Sequence, residues 1–432
     1  MSTVSVFPAL RHRNFRLLWG GLLVSFAGSF MQTAAILWHV SLLAPDDKRA
    51  LALGMVGLVR VGPIIVFSLI SGVAADALDR RKLMLVTQSL MAALAALLAV
   101  LSFRGHATLG AIYLLAAVSS AAGAFDLPAR QALLPNLVPR EDLPNAISLN
   151  TIMMQIASVA GPALGGLVIA AGGVAWVYAL NAASFVLVIV ALLMMRIDAR
   201  PAHDGGEADG GRGDFTFAAA LEGLRFVFRA PLIRSTMLLD FFATFFSSAT
   251  ALLPIFAQDV LHVGARGYGW LYAAPAVGAV LASLVMVRAV DWIEHRGVVL
   301  ITSIAIYGAA TALFGLSRAF WLSFACLAVT GVADTVSMIF RNLIRQLETP
   351  DRLRGRMVGV NMVFFIGGPQ LGELEAGLVA NAFGPVLSVV TGGLGCLVAT
   401  AWVAARTPRL RAYRRTTLPH VSIAGPEVPA GR

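Results

Sequence analysis

Charged residues are scarce in this sequence of 432 residues. Asp, Glu, Lys and Arg make up only 13% of it, whereas soluble domains contain roughly 25%. Apolar residues account for 58%, and the mean hydropathy is +0.80. A soluble chain of this length would not stay dispersed with so few charges, and a disordered chain would not be so apolar. The composition excludes both classes and predicts a protein with many membrane-spanning segments.

Clusters of metal-binding and catalytic residues are also missing. The seven histidines are scattered, and the sequence contains no His-x-x-x-His, no Cys-x-x-Cys and no Gly-Lys-Ser/Thr string. Metal sites and phosphate-binding loops need such clusters. We therefore expect no metal, no cofactor, no enzymatic activity and no ATP-driven pump. Both cysteines, Cys326 and Cys396, lie within apolar runs, which predicts free thiols.

Long apolar runs are what the sequence has in abundance. Twelve of them approach the roughly 20 residues that a spanning helix needs, and the alternating segments of a membrane barrel are absent. The fourth run is predicted over Ala107–Phe125 and the tenth over Phe320–Phe340. The first run follows basic residues and is too long for a signal peptide, so it predicts an uncleaved helix. The fold class we expect is an all-α membrane protein with twelve spanning helices.

The basic residues predict the orientation of these helices. Of the 33 lysines and arginines, 27 lie in loops and tails on the side of the two termini. Loops rich in Lys and Arg stay in the cytoplasm. The net charge of +10 therefore favours a membrane face over a nucleic-acid partner, and we expect both termini to be cytoplasmic.

An internal repeat divides the chain into halves. Gly161-Pro162-Ala163-Leu164-Gly165 recurs as Gly368-Pro369-Gln370-Leu371-Gly372, and Arg130-Gln131 before Pro139 recurs as Arg341-Asn342 before Pro350 with identical spacing. Two six-helix repeats are a transporter architecture, with the substrate site between them. This repeat predicts two pseudo-symmetric six-helix bundles.

The predicted domains follow from this division. We expect bundles over residues 1–197 and 231–406. Residues 198–230 form a cytoplasmic linker whose second part is predicted to be an amphipathic helix on the membrane surface. Residues 407–432 form a basic cytoplasmic tail that is predicted to be disordered.

Glycine and proline interrupt four predicted helices that are paired across the repeat. Gly62-Pro63 lies in the second helix and Pro275 with Gly278 in the eighth, while the fifth and eleventh contain the repeated Gly-Pro strings. Glycine permits close helix approach and proline permits bending. We interpret these four helices as the ones that rock against each other. Ordinary tight packing is the alternative interpretation.

A signature string follows the second predicted helix: Gly72-Val-Ala-Ala-Asp76-Ala-Leu-Asp79-Arg80-Arg81-Lys82. It resembles the cytoplasmic signature of the major facilitator superfamily, with Ala77 and Asp79 as departures. The resemblance implies the major facilitator fold. It also implies that Asp76 and Arg80 form a charge lock with Asp126, beside the basic cluster that includes Arg81.

The fifth helix carries a second resemblance. Gly161-Pro162 followed by Gly165-Gly166 is similar to the motif of drug and proton antiporters, although the predicted fourth span lacks the arginine that another antiporter motif uses. Strings at 125–135, 253–256 and 352–356 resemble the bacterial branch that contains the enterobactin exporter and related efflux permeases. The resemblance implies a proton-driven exporter of a siderophore-like or drug-like molecule in the cytoplasmic membrane. An importer or lipid-handling permease of the same fold, or a membrane-embedded enzyme, are the alternatives.

Five charged residues fall within predicted spans, where each costs about 2.5–3.5 kcal/mol; they are Arg60, Asp240, Asp334, Glu373 and Glu375. Arg60 lies at a depth similar to that of the two glutamates. We predict that it pairs with one of them to close the outer side; a permanent structural pair is equally consistent. Asp240 and Asp334 have no basic residue that the sequence identifies as a partner. Any of the four carboxylates could carry a proton, and Glu373 and Asp240 are the first choices.

Polar residues within the spans are candidates for binding the substrate. We select Gln32, Gln155 and Asn361, for which interhelical hydrogen bonds are the alternative role. The partners that we expect are a small-molecule substrate, protons and membrane lipid, and the protein is expected to be a monomer.

Overall fold

The computed structural model describes residues 7–195, 224–350 and 353–415. Within these ranges the chain is helical and forms no strand, which confirms the all-α class. Twelve long helices occur in chain order: α1 (Arg13–Leu43), α2 (Arg49–Ala77), α3 (Arg80–Phe103), α4 (Leu109–Leu133), α5 (Leu143–Gly172), α6 (Val174–Met194), α7 (Pro231–Phe246), α8 (Gly264–Ala289), α9 (Arg296–Leu316), α10 (Phe320–Glu348), α11 (Arg354–Phe383) and α12 (Pro385–Arg406). The described chain contains eleven segments long and apolar enough to cross a membrane; the seventh, Pro231–Val260, includes α7 and the turns after it, and α11 is not among them.

The outer surfaces of these helices are apolar. Leu114, Val287 and Trp321 expose 65%, 77% and 76% of their area, although each lies within or beside a long apolar stretch. Large exposed hydrophobic side chains on every side are what a lipid environment selects, since hydrocarbon gives no penalty for them. The helices satisfy their backbone groups internally, as that environment requires.

The helices pack in the same pattern in the two halves of the chain. α1 packs against α5 and α6, α2 against α4, and α3 against α4 and α6. In the second half α7 packs against α11 and α12, α8 against α10, and α9 against α10 and α12. Each contact of the first half thus recurs in the second half between the helices numbered six higher. The two main contacts between the halves are α2 with α11 and α5 with α8. The repeat relates them to each other, because α2 corresponds to α8 and α5 corresponds to α11.

The seventh helix is shorter than the predicted span, which extended from Leu232 to Phe256. α7 ends at Phe246, and the chain continues as a tight turn over Thr250–Leu252 and a wide turn over Phe256–Val260. Pro254 lies at the start of the helical turn between them. Proline has no N–H to continue an existing helix but fits the first turn of a new one, which explains the break.

Two predicted helix ends were wrong. α4 extends to Leu133 and α10 to Glu348, so Arg130, Arg341 and Arg345 lie inside helices rather than in loops. The statement that the fourth span contains no arginine is corrected accordingly. The hydropathy pattern placed these ends too early because each arginine lowers it as a helix end would, whereas Arg341 and Arg345 are buried and Arg130 is partly buried within their helices.

The end of the chain also differs from expectation. The tail from residue 407 was predicted to be disordered, yet Pro408–Arg411 forms a helical turn with Leu410 buried. The Gly297 N–H donates to the Tyr413 carbonyl at 3.1 Å, which fastens this turn to the start of α9. Residues 416–432 lie outside the described residues. So does most of the predicted linker, of which residues 224–229 are helical.

Candidate functional site

The two ends of the molecule differ in how the halves meet. We call the end where α1, α5 and α9 begin the termini side. The first and last described segments lie there: the Ala9 N–H donates to Asn145 at the start of α5, and residue 413 contacts the start of α9. At the opposite side one buried core combines both halves, including Leu53 and Phe256. At the termini side each half has a core of its own, around Phe15 in the first and Phe340 in the second.

Two glycine crossings join the halves at the opposite side. In the α5–α8 crossing, a Cβ at Gly166 would lie 2.5 Å from the Ala265 carbonyl oxygen and 2.7 Å from the Gly269 Cα. In the α2–α11 crossing, a Cβ at Gly377 would lie 2.7 Å from the Ala50 carbonyl oxygen and 2.9 Å from the Gly54 Cα. Any side chain at these glycines would push the backbones apart. The halves therefore touch backbone to backbone at two equivalent places.

The other glycines of the repeated strings hold each half together. Gly161 and Gly165 pack against α1, where a Cβ at Gly161 would lie 2.6 Å from the Ala27 carbonyl oxygen. Gly368 and Gly372 pack against α7 in the same way. Pro162 and Pro369 lie inside their helices. The repeated sequence thus encodes a repeated contact.

Glu373 lies in the α2–α11 crossing, one turn nearer the molecular centre than Gly377. A Cβ at Gly57 would lie 2.5 Å from the Glu373 Oε2, so the carboxylate occupies the space that the glycine leaves. Arg60 of α2 is within electrostatic range of Glu373. Of the two glutamates that could pair with Arg60, Glu373 is the one within electrostatic range, and their pairing stays a prediction.

Polar contacts reinforce the closure of the opposite side. The Tyr268 hydroxyl donates to the Ala34 carbonyl oxygen at 2.8 Å, and its ring lies 5.1 Å from that of Trp38. The Gln258 amide donates to the Ser41 hydroxyl at 2.8 Å. Arg49 forms an ion pair with Asp259 at 2.8 Å. Each of these contacts links the first half of the chain to the second.

A buried ion network lies at the termini side of the second half. The Asp240 carboxylate of α7 forms ion pairs with Arg341, at 2.7 Å from Nη1, and with Arg345, at 3.2 Å from Nη2. Arg341 also pairs with Asp334 at 3.1 Å. Arg345 donates to the Thr236 hydroxyl and carbonyl and to Asn361. The two buried arginines are thus balanced by the buried Asp240 and by the partly exposed Asp334, and such pairing makes buried charges tolerable.

This network corrects two expectations. Asp240 and Asp334 were predicted to have no basic partner, but Arg341 contacts both of them. The signal was in the sequence: Asp334 and Arg341 are seven residues apart, which places them on one face of a helix. It was missed because Arg341 had been assigned to a loop.

The corresponding region of the first half is less tightly paired. Asp126 of α4 accepts hydrogen bonds from the Thr87 hydroxyl at 2.9 Å and the Gln88 amide at 3.0 Å. The nearest Arg130 nitrogen is 4.0 Å from the second carboxylate oxygen. The Arg130 guanidinium lies over the Phe26 ring, 4.3 Å from its centroid.

Two cavities of about 190 Å³ each lie beside Arg130. The first lies between α1, α4 and α5, and the residues that line it are Phe15, Leu18, Trp19, Leu22, Leu127, Arg130, Gln131, Leu134, Asn150 and Met154. The second lies deeper and also reaches Asp126, Gln88 and Phe185. Both belong to the first half of the chain.

The signature residues at the start of α3 have structural roles. Asp79 caps the helix by accepting the backbone N–H groups of Arg81 and Lys82. Arg80 donates to the Ala132 carbonyl at 3.0 Å, and Arg81 donates to the Leu192 carbonyl at 2.7 Å. Asp126 pairs with Arg130 rather than with Arg80 among the described side chains. Gly72 lies in α2, and the side chain of Asp76 lies outside the described part of the structure, so the predicted contact of Asp76 stays a prediction.

Two of the three amide side chains predicted to bind substrate form hydrogen bonds with other helices. Gln32 accepts from the Asn181 amide at 2.8 Å, which joins α1 to α6. Asn361 accepts from Arg345. Gln155 is partly buried on α5, and Glu375 is partly buried on α11. For Gln32 and Asn361 the interhelical alternative is the one that the geometry shows.

Sequence comparison now adds the relatives of this chain. The family model for transmembrane secretion effectors matches residues 4–429. The chain belongs to this family. Relatives similar to it include the enterobactin exporter EntS of Salmonella choleraesuis strain SC-B67, which is 28% identical over 84% of this chain and 85% of the relative. EntS of Escherichia coli O6:K15:H31 is 28% identical with the same coverage.

Solved structures show the same fold. A bacterial homolog of the human lysosomal transporter Spinster, in an inward-facing and unoccupied conformation, matches with a TM-score of 0.72 and 15% identity over 96% of this chain and all of that chain. A bacterial homologue of the iron transporter ferroportin matches with a TM-score of 0.65 and 15% identity over 91% of this chain and 99% of that chain. This secretion effector therefore has a fold of the major facilitator type. It is an integral membrane transporter and not an enzyme.

Proposed function

We propose that this secretion effector exports an amphipathic small molecule, siderophore-like or drug-like, across the cytoplasmic membrane by alternating access coupled to protons. The observation that carries this proposal is the pair of equivalent glycine crossings at one end of two equivalently packed helix sets. The names of the relatives support export as the direction and a siderophore-like cargo.

The architecture behind the proposal is two six-helix bundles with α11 as the twelfth spanning helix. α11 contains Glu373 and Glu375, which lower its hydropathy, and it packs against α2, α7 and α12. The bundles would comprise residues 1–197 and 231–406, with the linker and both termini in the cytoplasm. In this arrangement the termini side faces the cytoplasm.

Alternating access follows from the unequal ends. The opposite side is closed by backbone contact and a shared core, whereas the cores at the termini side are separate. This distribution corresponds to a state closed to the outside and accessible from the cytoplasm. Transport then requires the Gly166–Gly269 and Gly54–Gly377 contacts to separate while the termini side closes.

Glu373 is the carboxylate that best suits coupling to protons. It lies in a crossing that must open, and its carboxylate fills the space at Gly57, where Arg60 is the basic residue that the described side chains place in electrostatic range. Opening would change its surroundings in each cycle. Asp240, by contrast, is neutralised by two arginines within one half, and nothing in that arrangement requires it to change partners.

The cellular experiment tests direction and cargo. A strain that lacks this gene is compared with the complemented strain for secreted siderophore and for sensitivity to a panel of amphipathic drugs. We expect reduced secretion or increased sensitivity, with retention of the compound inside the cell. Reduced uptake in the mutant strain, with normal secretion and unchanged drug sensitivity, would refute export and favour import.

The coupling experiment uses purified protein in vesicles with an imposed pH gradient. Glu373→Gln is expected to abolish gradient-driven transport while exchange of substrate across the membrane continues. Asp47→Asn, an exposed loop variant with the same charge change, is the control. Full gradient-driven transport by Glu373→Gln, or its loss in Glu375→Gln alone, would remove Glu373 as the coupling group.

A further inference from the structure

Arg130 and Arg341 occupy corresponding positions of the repeat, but their charges are balanced to different degrees. Arg341 contacts Asp240 at 2.7 Å and Asp334 at 3.1 Å. The carboxylate nearest to Arg130 in the described chain is that of Asp126, at 4.0 Å. That carboxylate already accepts two shorter hydrogen bonds from α3. Two carboxylates therefore balance the charge of Arg341 at close range, whereas the guanidinium donors of Arg130 remain largely available.

The available donors of Arg130 reach a cavity. Its side chain, in the last turn of α4, is 14% exposed, and it borders the space of about 190 Å³ between α1, α4 and α5. Of the residues lining that space, all within the described chain, Arg130 alone is charged. Phe26 supports the guanidinium from one face at 4.3 Å, which holds the planar donor fork in place.

The other walls of this cavity are apolar, with amides at the rim. Trp19, Leu22 and Met154 provide apolar surface, and Gln131 and Asn150 provide hydrogen-bonding groups. The Trp19 indole N–H is occupied by the Leu149 carbonyl at 3.0 Å, so the ring presents its apolar part to the cavity. An apolar pocket with one fixed cationic fork is suited to an anion attached to an apolar body.

We propose that Arg130 binds the acidic group of an amphipathic anion that enters this cavity from the termini side. The proposal rests on the proposed export function and specifies its substrate class: acids in preference to neutral or cationic molecules. The carboxylate or comparable oxyanion accepts two hydrogen bonds from the guanidinium, and the apolar body packs against α1 and α5. The Asp126 carboxylate, 4.0 Å from the guanidinium, competes weakly with the bound anion for the positive charge of Arg130.

Binding of a matched pair of probes tests this assignment. 2-Naphthoate and 2-naphthamide share the ring system and differ in charge at neutral pH. Titration calorimetry on the purified full-length chain in detergent is expected to show at least tenfold tighter binding of the acid. Arg130→Gln should abolish this preference, and Arg130→Lys should retain part of it because Lys keeps the charge without the fork. Arg104→Gln, an exposed arginine on the opposite side, is the control and should retain it.

Asp126→Asn provides a result that a purely structural role for Arg130 would not give. Removing the competing carboxylate should tighten binding of 2-naphthoate several-fold and leave binding of 2-naphthamide unchanged. Equal binding of acid and amide by the unmodified chain, no binding of the acid, or an intact acid preference in folded Arg130→Gln would each overturn the proposal. Vesicle efflux separates this failure from failure of export: outward transport of the amide without acid preference leaves export standing, whereas inward transport alone removes it.

Discussion

Replacing Asp240 with asparagine tests the buried network most directly. The Asp240 side chain is 4% exposed and neutralises Arg341 and Arg345, which are 2% and 3% exposed. Asparagine keeps the size of the side chain and removes its charge. Two guanidinium groups would then remain buried, with Asp334 as the one carboxylate that the described residues still offer them.

The expected loss of stability is large. Removing one partner of a buried ion pair costs about 3–5 kcal/mol, because the remaining charge is uncompensated. For a cooperative unit of roughly 200 residues, this corresponds to a decrease of about 6–20 °C in melting temperature. Asp334→Asn is the matched comparison, because the Asp334 side chain is 45% exposed and contacts one arginine. Exposed pairs contribute about 0.2–1 kcal/mol, so its melting temperature should fall by less than about 4 °C.

The two cysteines allow the unfolding of the second half to be measured separately from that of the first. Cys326 and Cys396 are both free and buried, so a thiol-reactive fluorescent dye reports the temperature at which α10 and α12 separate from their neighbours. The double variant Asp240→Asn/Arg341→Gln should recover part of the loss, since it removes one of the uncompensated charges. Equal melting temperatures for Asp240→Asn and Asp334→Asn would refute the assignment of Asp240 as the shared counter-ion.

Three further predictions concern the contacts at the two ends. Gly166→Leu should separate α5 from α8 and therefore increase the labelling of Ser41→Cys by an impermeant maleimide. Gly20→Leu, at a position with no neighbour within 4 Å, is the control and should leave the labelling unchanged. Equal labelling of both variants contradicts the crossing. Arg49→Gln breaks an exposed ion pair between halves and should lower stability by no more than about 1 kcal/mol in thermal unfolding; a loss of several kcal/mol would show that this pair is not solvent-screened. Gly297→Leu cannot accommodate the Leu410 carbonyl and should speed proteolysis after residue 407; an unchanged cleavage pattern contradicts the docking of that turn.

Composition and repetition predicted the all-α class and the internal repeat. The Gly-Pro strings of α5 and α11 were visible in the sequence, and they form equivalent contacts with α1 and α7. Small residues allow close helix approach wherever they occur in a spanning helix, so their repetition is sufficient to predict repeated packing. The prolines that the sequence analysis assigned to the interiors of the second, fifth, eighth and eleventh helices do lie inside α2, α5, α8 and α11.

The charged site could not be predicted in this way. Whether Arg341 ends a helix or lies buried within one depends on Asp240, which is 101 residues away and on another helix. Hydropathy over a window contains no information about such a partner. Depth in the span singled out Glu373 and Glu375 together, but it did not predict Gly57, the glycine whose space the Glu373 carboxylate fills, because a lone glycine in a spanning helix has no distinguishing pattern.

The shared packing pattern has a consequence for how this chain assembles during synthesis. Most helix contacts of the first half join segments that have already emerged before α7 is made, so that half can pack as a unit while the rest of the chain is still being translated. The Gly54–Gly377 crossing joins residues more than 300 positions apart and must wait for α11. Mispairing is therefore most costly at this last junction, and a truncated product that ends before α11 would leave α2 with one uncovered face in the bilayer.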